Sequence, residues 1–276
     1  MSLFTAEPYL EYYGLSEAPY STKPHERYLY LTPTHKEAIG MFTKLVRDKE
    51  GAAIVYGKFG TGKTTLMRRL YSEMRDYPQE FQVGMIENAG HCPTEFQLAG
   101  EIIESFGAKS ESNDRKGRFD QVKRLLFENY QRHITSILLI DEAQELPAKV
   151  LESLRGYLNF ETNSEKLVQI VLFALPSITR KLAYAQTLRN RLWRTELHEM
   201  SRAELSEMLR WRFTQAGGAV FPFEEAALER LYELTKGHPR NTCGLAQLSL
   251  EAAAMSNGKV TAEVIDQVKD KRFLET

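Results

Sequence analysis

This chain of 276 residues predicts an α/β fold with a parallel sheet, followed by a small all-helical domain. Three observations carry that prediction. Between Thr34 and about Leu197, short apolar runs alternate with helical patterns. Those runs are nearly continuous in apolar residues, as strands covered on both faces require. After Leu197 the strand signals vanish and only amphipathic helical stretches remain.

The elements follow in order. Residues 1–33 contain "YLEYYGLSEAPYSTKPHERYLYLTP", too irregular for long helices and too aromatic for disorder. They read as an extended arm packed on the domain behind it, either covering an apolar face or touching a ligand. "THKEAIGMFTKLVRDK" is helical, with Thr34 as N-cap and Glu37 three residues on. "AAIVY" reads as a buried strand and "TTLMRRLYSEMRD" as a helix. "FQVGMIEN" is a strand, and "TEFQLAGEIIESFG" a helix that stops at Gly107. "ESNDRKG" is a polar loop before the helix "RFDQVKRLLFENYQRH". "SILLID" and "LVQIVLFAL" are further strands, and a last core strand follows "LRNR", giving five. Beyond it, "SRAELSEMLRWRFTQAGG" opens with a capping box, Ser201 and Glu204, and closes on Gly217–Gly218. Pro239 suits the first turn of a later helix. The expected division is an arm over 1–33, an α/β core over 34–198 and a helical domain over 199–276.

Composition narrows the function classes. Net charge is −1, so no global positive field announces nucleic acid. The two cysteines, Cys92 and Cys243, lie far apart and follow no metal-ligand spacing, as buried thiols of a reducing compartment would. The histidines do not cluster with Cys or carboxylates at metal-site spacing. No apolar run reaches the roughly 18 residues that span a bilayer. The start, "MSLFTAEPYLEYYGL", carries Glu7 and Glu11 and lacks the pattern of a signal peptide. The expectation is a cytoplasmic protein without a membrane segment.

The chemistry concentrates in two places. Gly57, Lys58, Phe59, Gly60, Thr61, Gly62, Lys63 and Thr64 fit G-x-x-x-x-G-K-[ST] completely, after a strand and opening a helix that continues through Thr65. Glycines let backbone N–H groups converge on phosphate oxygens, and the helix N-terminus adds partial positive charge. Lys63 then reaches the β- and γ-phosphates of ATP, and the Thr64 hydroxyl ligates Mg²⁺. "ILLIDEAQEL" places Asp141 and Glu142 at the end of an apolar strand, where open parallel sheets bind ligands. Asp141 is placed to hold Mg²⁺, directly or through water. Glu142 can polarise a water for attack on the γ-phosphorus, which argues for hydrolysis beyond binding.

With these pieces in order, the chain resembles the AAA+ ATPases. More narrowly, it resembles the ExeA-type ATPases, relatives of the MuB and TnsC transposition regulators. The matching stretches are "YYGLSEAPYS", "ERYLYLTPTHKEAI", "GKFGTGKTTL", "LLIDEAQEL", "LESLRGYLNFETNSEKLVQIVL" and "GHPRN", which together cover most of the chain. The resemblance implies a P-loop NTPase core with a five-stranded parallel sheet and a helical lid. It implies that Arg191, with Arg189 as second choice and Arg194 as a third, is a finger touching a neighbour's γ-phosphate. A guanidinium suits that spread charge. Arg240 matches the lid arginine, called sensor 2, that bridges to the γ-phosphate. Asn88 falls where relatives carry a polar residue that holds the catalytic glutamate, though a strand-end Asn can also simply make a turn. The adenine pocket is implied around Tyr30 to His35.

One departure stands out. Relatives place a polar residue, sensor 1, just before the proline that follows the fourth core strand, and this chain has Leu175 before Pro176. An apolar side chain cannot hydrogen-bond water or phosphate, so either another polar group such as Asn159 substitutes or hydrolysis is slow. Slow hydrolysis is the expectation.

The implied partners are further copies of the chain, as a ring or filament, together with double-stranded DNA and a transposase. Basic residues beside aromatics in "LRWRF" and "KDKRF", and Lys109, Arg115, Lys116 and Arg118 around the polar loop, are the direct pointers to DNA. The second reading is an ExeA-type secretion ATPase that energises assembly of an envelope complex. Such proteins continue into a membrane span and a peptidoglycan-binding region, and their absence from this sequence tips the expectation toward DNA. A third class is a switch that binds ATP and scarcely hydrolyses it.

Overall fold

The computed structural model describes residues 8–23, 26–162, 165–256 and 258–271. In chain order the helices are α1 (Pro8–Tyr13), α2 (Pro33–Asp48), α3 (Lys63–Arg75), α4 (Glu95–Ser105), α5 (Arg115–Gln131) and α6 (Ala148–Leu158). They continue with α7 (Ile178–Leu182), α8 (Gln186–Arg189), α9 (Arg202–Gln215), α10 (Glu225–Thr235), α11 (Pro239–Ala254) and α12 (Ala262–Val268). The strands are β1 (Ala52–Gly57), β2 (Phe81–Ile86), β3 (Thr135–Ile140), β4 (Val168–Ala174) and β5 (Leu192–Leu197).

Two compact units share the chain. One takes Pro33–Phe59 and Lys63–Leu197; the other takes the described part of 1–32, Gly60–Gly62 and the described part of 198–276.

The first of these is the α/β unit. Its five strands run in the order β2-β3-β4-β1-β5, every pairing parallel. The central strand β4 is buried at every position and β3 at all but its first, which explains their continuous apolar sequences. Ile54, Leu138, Ile140, Ile170 and Leu172 from the sheet pack with Leu98, Ile102, Leu126, Leu151 and Leu154 of the covering helices. Register fixes the working edge. Ile86 pairs with Ile140, Ile140 with Leu172, and Ala174 with Tyr56. The first residues beyond β1, β3 and β4 therefore emerge side by side at the C-terminal edge.

The other unit is helical. Tyr9, Leu15 and Tyr20 share its core with Leu205, Leu209, Phe213, Leu231, Leu245 and Leu250. The arm thus joins the helices from the far end of the sequence, rather than only covering the domain that follows it. Tyr20 is fully buried, and its hydroxyl donates to the Leu209 carbonyl at 3.1 Å. The Tyr13 hydroxyl donates to the Gly258 carbonyl at 2.9 Å. The capping box expected at Ser201 and Glu204 is present in both directions. Pro239 opens α11 as its first residue.

Two boundaries differ from the sequence reading. Helix α2 starts at Pro33, so Thr34 lies inside its first turn rather than capping it; the ring's fixed φ suits that first position. Helix α5 starts three residues before the expected Arg118, because the Asp114 carboxylate accepts the Gly117 N–H at 2.9 Å and caps it. Of the basic stretches, the end of "KDKRF" (Arg272 and Phe273) lies outside the described residues, as do Glu7 and Asn163. Among the described residues no helix is long and apolar enough to cross a membrane.

Candidate nucleotide site

The loop from Gly57 to Gly62 joins β1 to α3, and its backbone needs glycine. Gly60 has φ +77° and Gly62 φ +97°, a region that L side chains rarely adopt. Thr61 between them is fully buried. Lys63 opens α3 with 6% of its surface exposed, and its Nζ donates to the Gly57 and Lys58 carbonyls, each at 2.8 Å. The ammonium is thus held over the loop by carbonyl bonds that phosphate oxygens can replace. Burial lowers its pKa, while Glu142 and Asp141 oppose that shift.

Asp141 and Glu142 follow β3 directly. The Thr64 hydroxyl donates to Asp141 Oδ2 at 2.6 Å, and the Glu142 N–H donates to Asp141 Oδ1 at 2.9 Å. Thr64 and Asp141, predicted as Mg²⁺ ligands from positions far apart in sequence, are therefore in contact. A hydroxyl and a carboxylate form a hard oxygen donor set of the type Mg²⁺ takes alongside substrate phosphates. The chain's residues fit the ion.

Burial raises the Asp141 pKa above the usual carboxylate range, against the hydrogen bond from Thr64. A group whose folded pKa is raised costs stability once pH exceeds its unfolded value, and the cost fades as pH falls through the folded pKa. Asp141→Asn keeps an oxygen for the Glu142 N–H and removes the buried charge. Without nucleotide and Mg²⁺, this variant is expected to be more stable than the parent by about 1 kcal/mol. A denaturant titration reads this; a lower midpoint for Asp141→Asn would refute it.

Glu142 sits in the left-handed region, φ +51° and ψ +35°, which is uncommon outside glycine. The turn sets it off the line of β3 into a short 3₁₀ segment, Ala143–Glu145. Its carboxylate accepts a hydrogen bond from Gln144 Nε2. The Gln144 carbonyl oxygen of the side chain accepts the Leu175 N–H at 2.9 Å. Gln144 lies within the acidic motif "LLIDEAQEL", where the sequence alone assigns it no role. Its signal is an amide side chain two residues beyond Glu142, and it is 5% exposed.

Asn88 takes the turn role. Its Oδ1 accepts the Gly90 N–H at 2.9 Å and its Nδ2 lies 3.4 Å from His91 Nε2. The Glu142 carboxylate is met by Gln144 instead.

The arginines lie elsewhere on the α/β unit. Arg189 ends α8 and Arg191 immediately precedes β5, whose first residue pairs with Ala52 at the start of β1. Both therefore sit at the N-terminal edge of the sheet, while the phosphate loop leaves the C-terminal edge. Arg191 Nη1 donates to Asn159 Oδ1 at 2.8 Å, and Arg194 Nη2 to the Arg189 carbonyl at 2.9 Å. Asn159 closes α6 ahead of β4, so it is at the wrong edge to replace the polar residue missing at Leu175. That suggestion is corrected by the strand polarity.

In the helical unit, Arg240 is exposed on the first turn of α11. The Tyr30 hydroxyl donates to Glu207 at 2.6 Å and its ring lies 6.0 Å from that of Trp211. Partial burial and that carboxylate push the phenol up to about 12. The basic stretches have partners within their own units. Arg210 pairs with Glu225 at 3.1 Å and stacks on Phe221, and Arg212 donates to the Ser21 carbonyl. Arg115 pairs with Glu95, and Arg118 stacks 3.7 Å from the Phe96 ring centroid. A groove of about 740 Å³ lined by Arg115, Phe119, Glu152, Tyr157 and Tyr184 includes none of the residues at the C-terminal edge.

Residues 46–182 match the family model described as AAA domain. The chain is 34% identical over 237 residues to General secretion pathway protein A of Aeromonas hydrophila, covering 84% of this chain. It spans about two fifths of that relative's length, 42%. Among solved structures, the Aeropyrum pernix ORC1 protein in complex with DNA superposes with a TM-score of 0.65 at 17% identity, over 92% of this chain and 69% of that one. The A. pernix ORC2 protein in ADPNP–ADP complexes gives 0.63 at 16%, over 92% and 73%. Domain III of the Thermotoga maritima replication initiation protein DnaA gives 0.58 at 16%, over 94% and 99%. At these identities the structures share the fold.

Proposed function

We propose that the chain is an AAA+ ATPase that uses Mg²⁺-ATP to control assembly with further copies of itself. In this reading the loop from Gly57 to Thr65 and Lys63 bind the phosphates. Thr64 and Asp141 hold the ion, which would neutralise charge on the β- and γ-phosphates. Glu142 is the general base, and Arg240 contacts the γ-phosphate from the lid. Tyr30 keeps its proposed place near the adenine, while Asn88 turns the chain after β2 and leaves the contact with the base to Gln144.

One observation carries the assembly reading. Arg189 and Arg191 sit at the sheet edge opposite the phosphate loop. A strand of six residues spans about 20 Å, so neither arginine reaches its own subunit's γ-phosphate. A finger from this position acts on a neighbour. The side chain of Leu175 offers nothing to the lytic water, which supports slow turnover.

The test uses two crippled variants. Arg191→Ala is expected to lower ATP turnover by about 10³-fold, with nucleotide affinity retained. Mixing Arg191→Ala with Glu142→Gln should restore hydrolysis, because mixed neighbours combine an intact base with an intact arginine. Activity that stays at the sum of the two separate preparations would sink the trans-acting finger.

Downstream, we place the assembly on double-stranded DNA, with a recruited transposase as in the MuB and TnsC regulators that the sequence resembles. A second reading has a specific support: the 34% identity to a general secretion pathway protein, which favours work on a cell-envelope complex. DNA binding with and without ATP over a salt series separates them. A DNA function predicts ATP-dependent, salt-sensitive binding. No association at low salt transfers the proposal to the secretion reading.

A further inference from the structure

The residue before Pro176 is apolar, yet the end of β4 is still wired to the Glu142 carboxylate. The wire is Gln144. Its Oε1 accepts the backbone N–H of Leu175 at 2.9 Å, and its Nε2 donates to Glu142 Oε2. The same Nε2 lies 3.4 Å from Glu145 Oε1. One amide therefore spans from the strand that lies between β1 and β3 to the carboxylate set off the line of β3.

The bridge is itself anchored. Lys181 of α7 donates from Nζ to the backbone carbonyl of Gln144 and, at 3.0 Å, to that of Leu146. These two bonds clamp the 3₁₀ turn that carries Gln144. The side chain is 5% exposed, so neither end of the amide exchanges freely with water. A buried amide with both ends satisfied holds its partners in one geometry.

We propose that Gln144 is a positioning residue for ATP hydrolysis, setting the Glu142 carboxylate against the end of β4 where a side chain at position 175 does not. The inference rests on Glu142 being the base. It differs from a sensor that touches water or phosphate, since Gln144 acts only through Glu142. Hydrolysis then persists without a polar residue at 175, at the slow rate expected when one contact to the lytic water is missing.

The test is a double-mutant cycle on the full chain, with turnover, nucleotide affinity and unfolding midpoint measured on each protein. Gln144→Glu is nearly isosteric, keeps an acceptor for the Leu175 N–H and sets a carboxylate against Glu142. It is expected to lower kcat by about 10- to 100-fold, the cost of a misplaced catalytic group, while the ATP-analogue Kd stays within about twofold. Gln144→Ala should do the same in the parent and add nothing in the Glu142→Gln background. Leu175→Asn introduced into Gln144→Ala should recover part of kcat. If Glu142→Gln alone leaves kcat intact, the base assignment falls first. If Glu142→Gln is inactive but both Gln144 variants keep parental kcat, the positioning role is overturned and the base assignment survives. A Gln144 effect that appears equally in Kd, or that vanishes once unfolded protein is subtracted, also overturns it.

Discussion

Glu142→Gln is expected to cut ATP turnover by about 10²- to 10⁴-fold and to leave nucleotide affinity nearly unchanged. The amide replaces the carboxylate with little change of shape, so the bond from Gln144 and the turn at φ +51° have no steric reason to move. What it loses is the capacity to take a proton from water. Phosphate binding depends on other atoms, namely the loop N–H groups and the Lys63 ammonium. Phosphate release and a fluorescent-nucleotide titration on the same preparation read the two quantities. Parental turnover in Glu142→Gln would assign the base elsewhere. Loss of affinity together with turnover would make Glu142 a binding group.

The second large effect is on stability. Tyr20→Ala is expected to destabilise the helical unit by about 3–5 kcal/mol, the cost of emptying an aromatic-sized space in a packed core. Tyr20 is fully buried, its ring stands edge-on to Phe223 with centroids 5.8 Å apart, and its hydroxyl donates to Leu209. Tyr20→Phe keeps the ring and loses only that bond, for about 1 kcal/mol. The sheet has a separate hydrophobic core, so the loss should be local. Hydrogen exchange reads this directly: amides of α9 and α11 should lose protection while those of β3 and β4 keep theirs. Equal losses in the sheet would show that Tyr20 supports the whole chain.

Much of the fold was legible because it rests on local chemistry. The continuous apolar runs of β3 and β4 report burial on both faces, and the phosphate loop is a spacing of glycines that few other structures need. Ser201 with Glu204, and Pro239, announce helix starts within one turn. Long-range placement was not legible in the same way. Apolar and aromatic residues at 9, 15 and 20 say that something covers them, and nothing in their spacing names helices some two hundred positions away.

The site divides along the same line. Thr64 and Asp141 are predicted by motif and meet as expected from the switch-point rule. Gln144 is not legible in the sequence because its role depends on the backbone N–H of Leu175 at the end of β4, which carries no side-chain signature. Asn159 was misplaced because sequence alone did not keep track of which end of the sheet a helix returns to; α6 carries the chain back to the start of β4.

The arm's membership in the helical unit has a consequence for synthesis. Tyr9, Leu15 and Tyr20 leave the ribosome well before their core partners, which lie between Met200 and Val268. The α/β unit is complete once Leu197 has emerged, so it can close while the arm is still waiting. Early in its life the chain therefore exposes Tyr9, Leu15 and Tyr20 while the sheet is already folded. Those apolar side chains are the natural target for a holding chaperone, and slow translation across residues 200–268 prolongs the risk of aggregation.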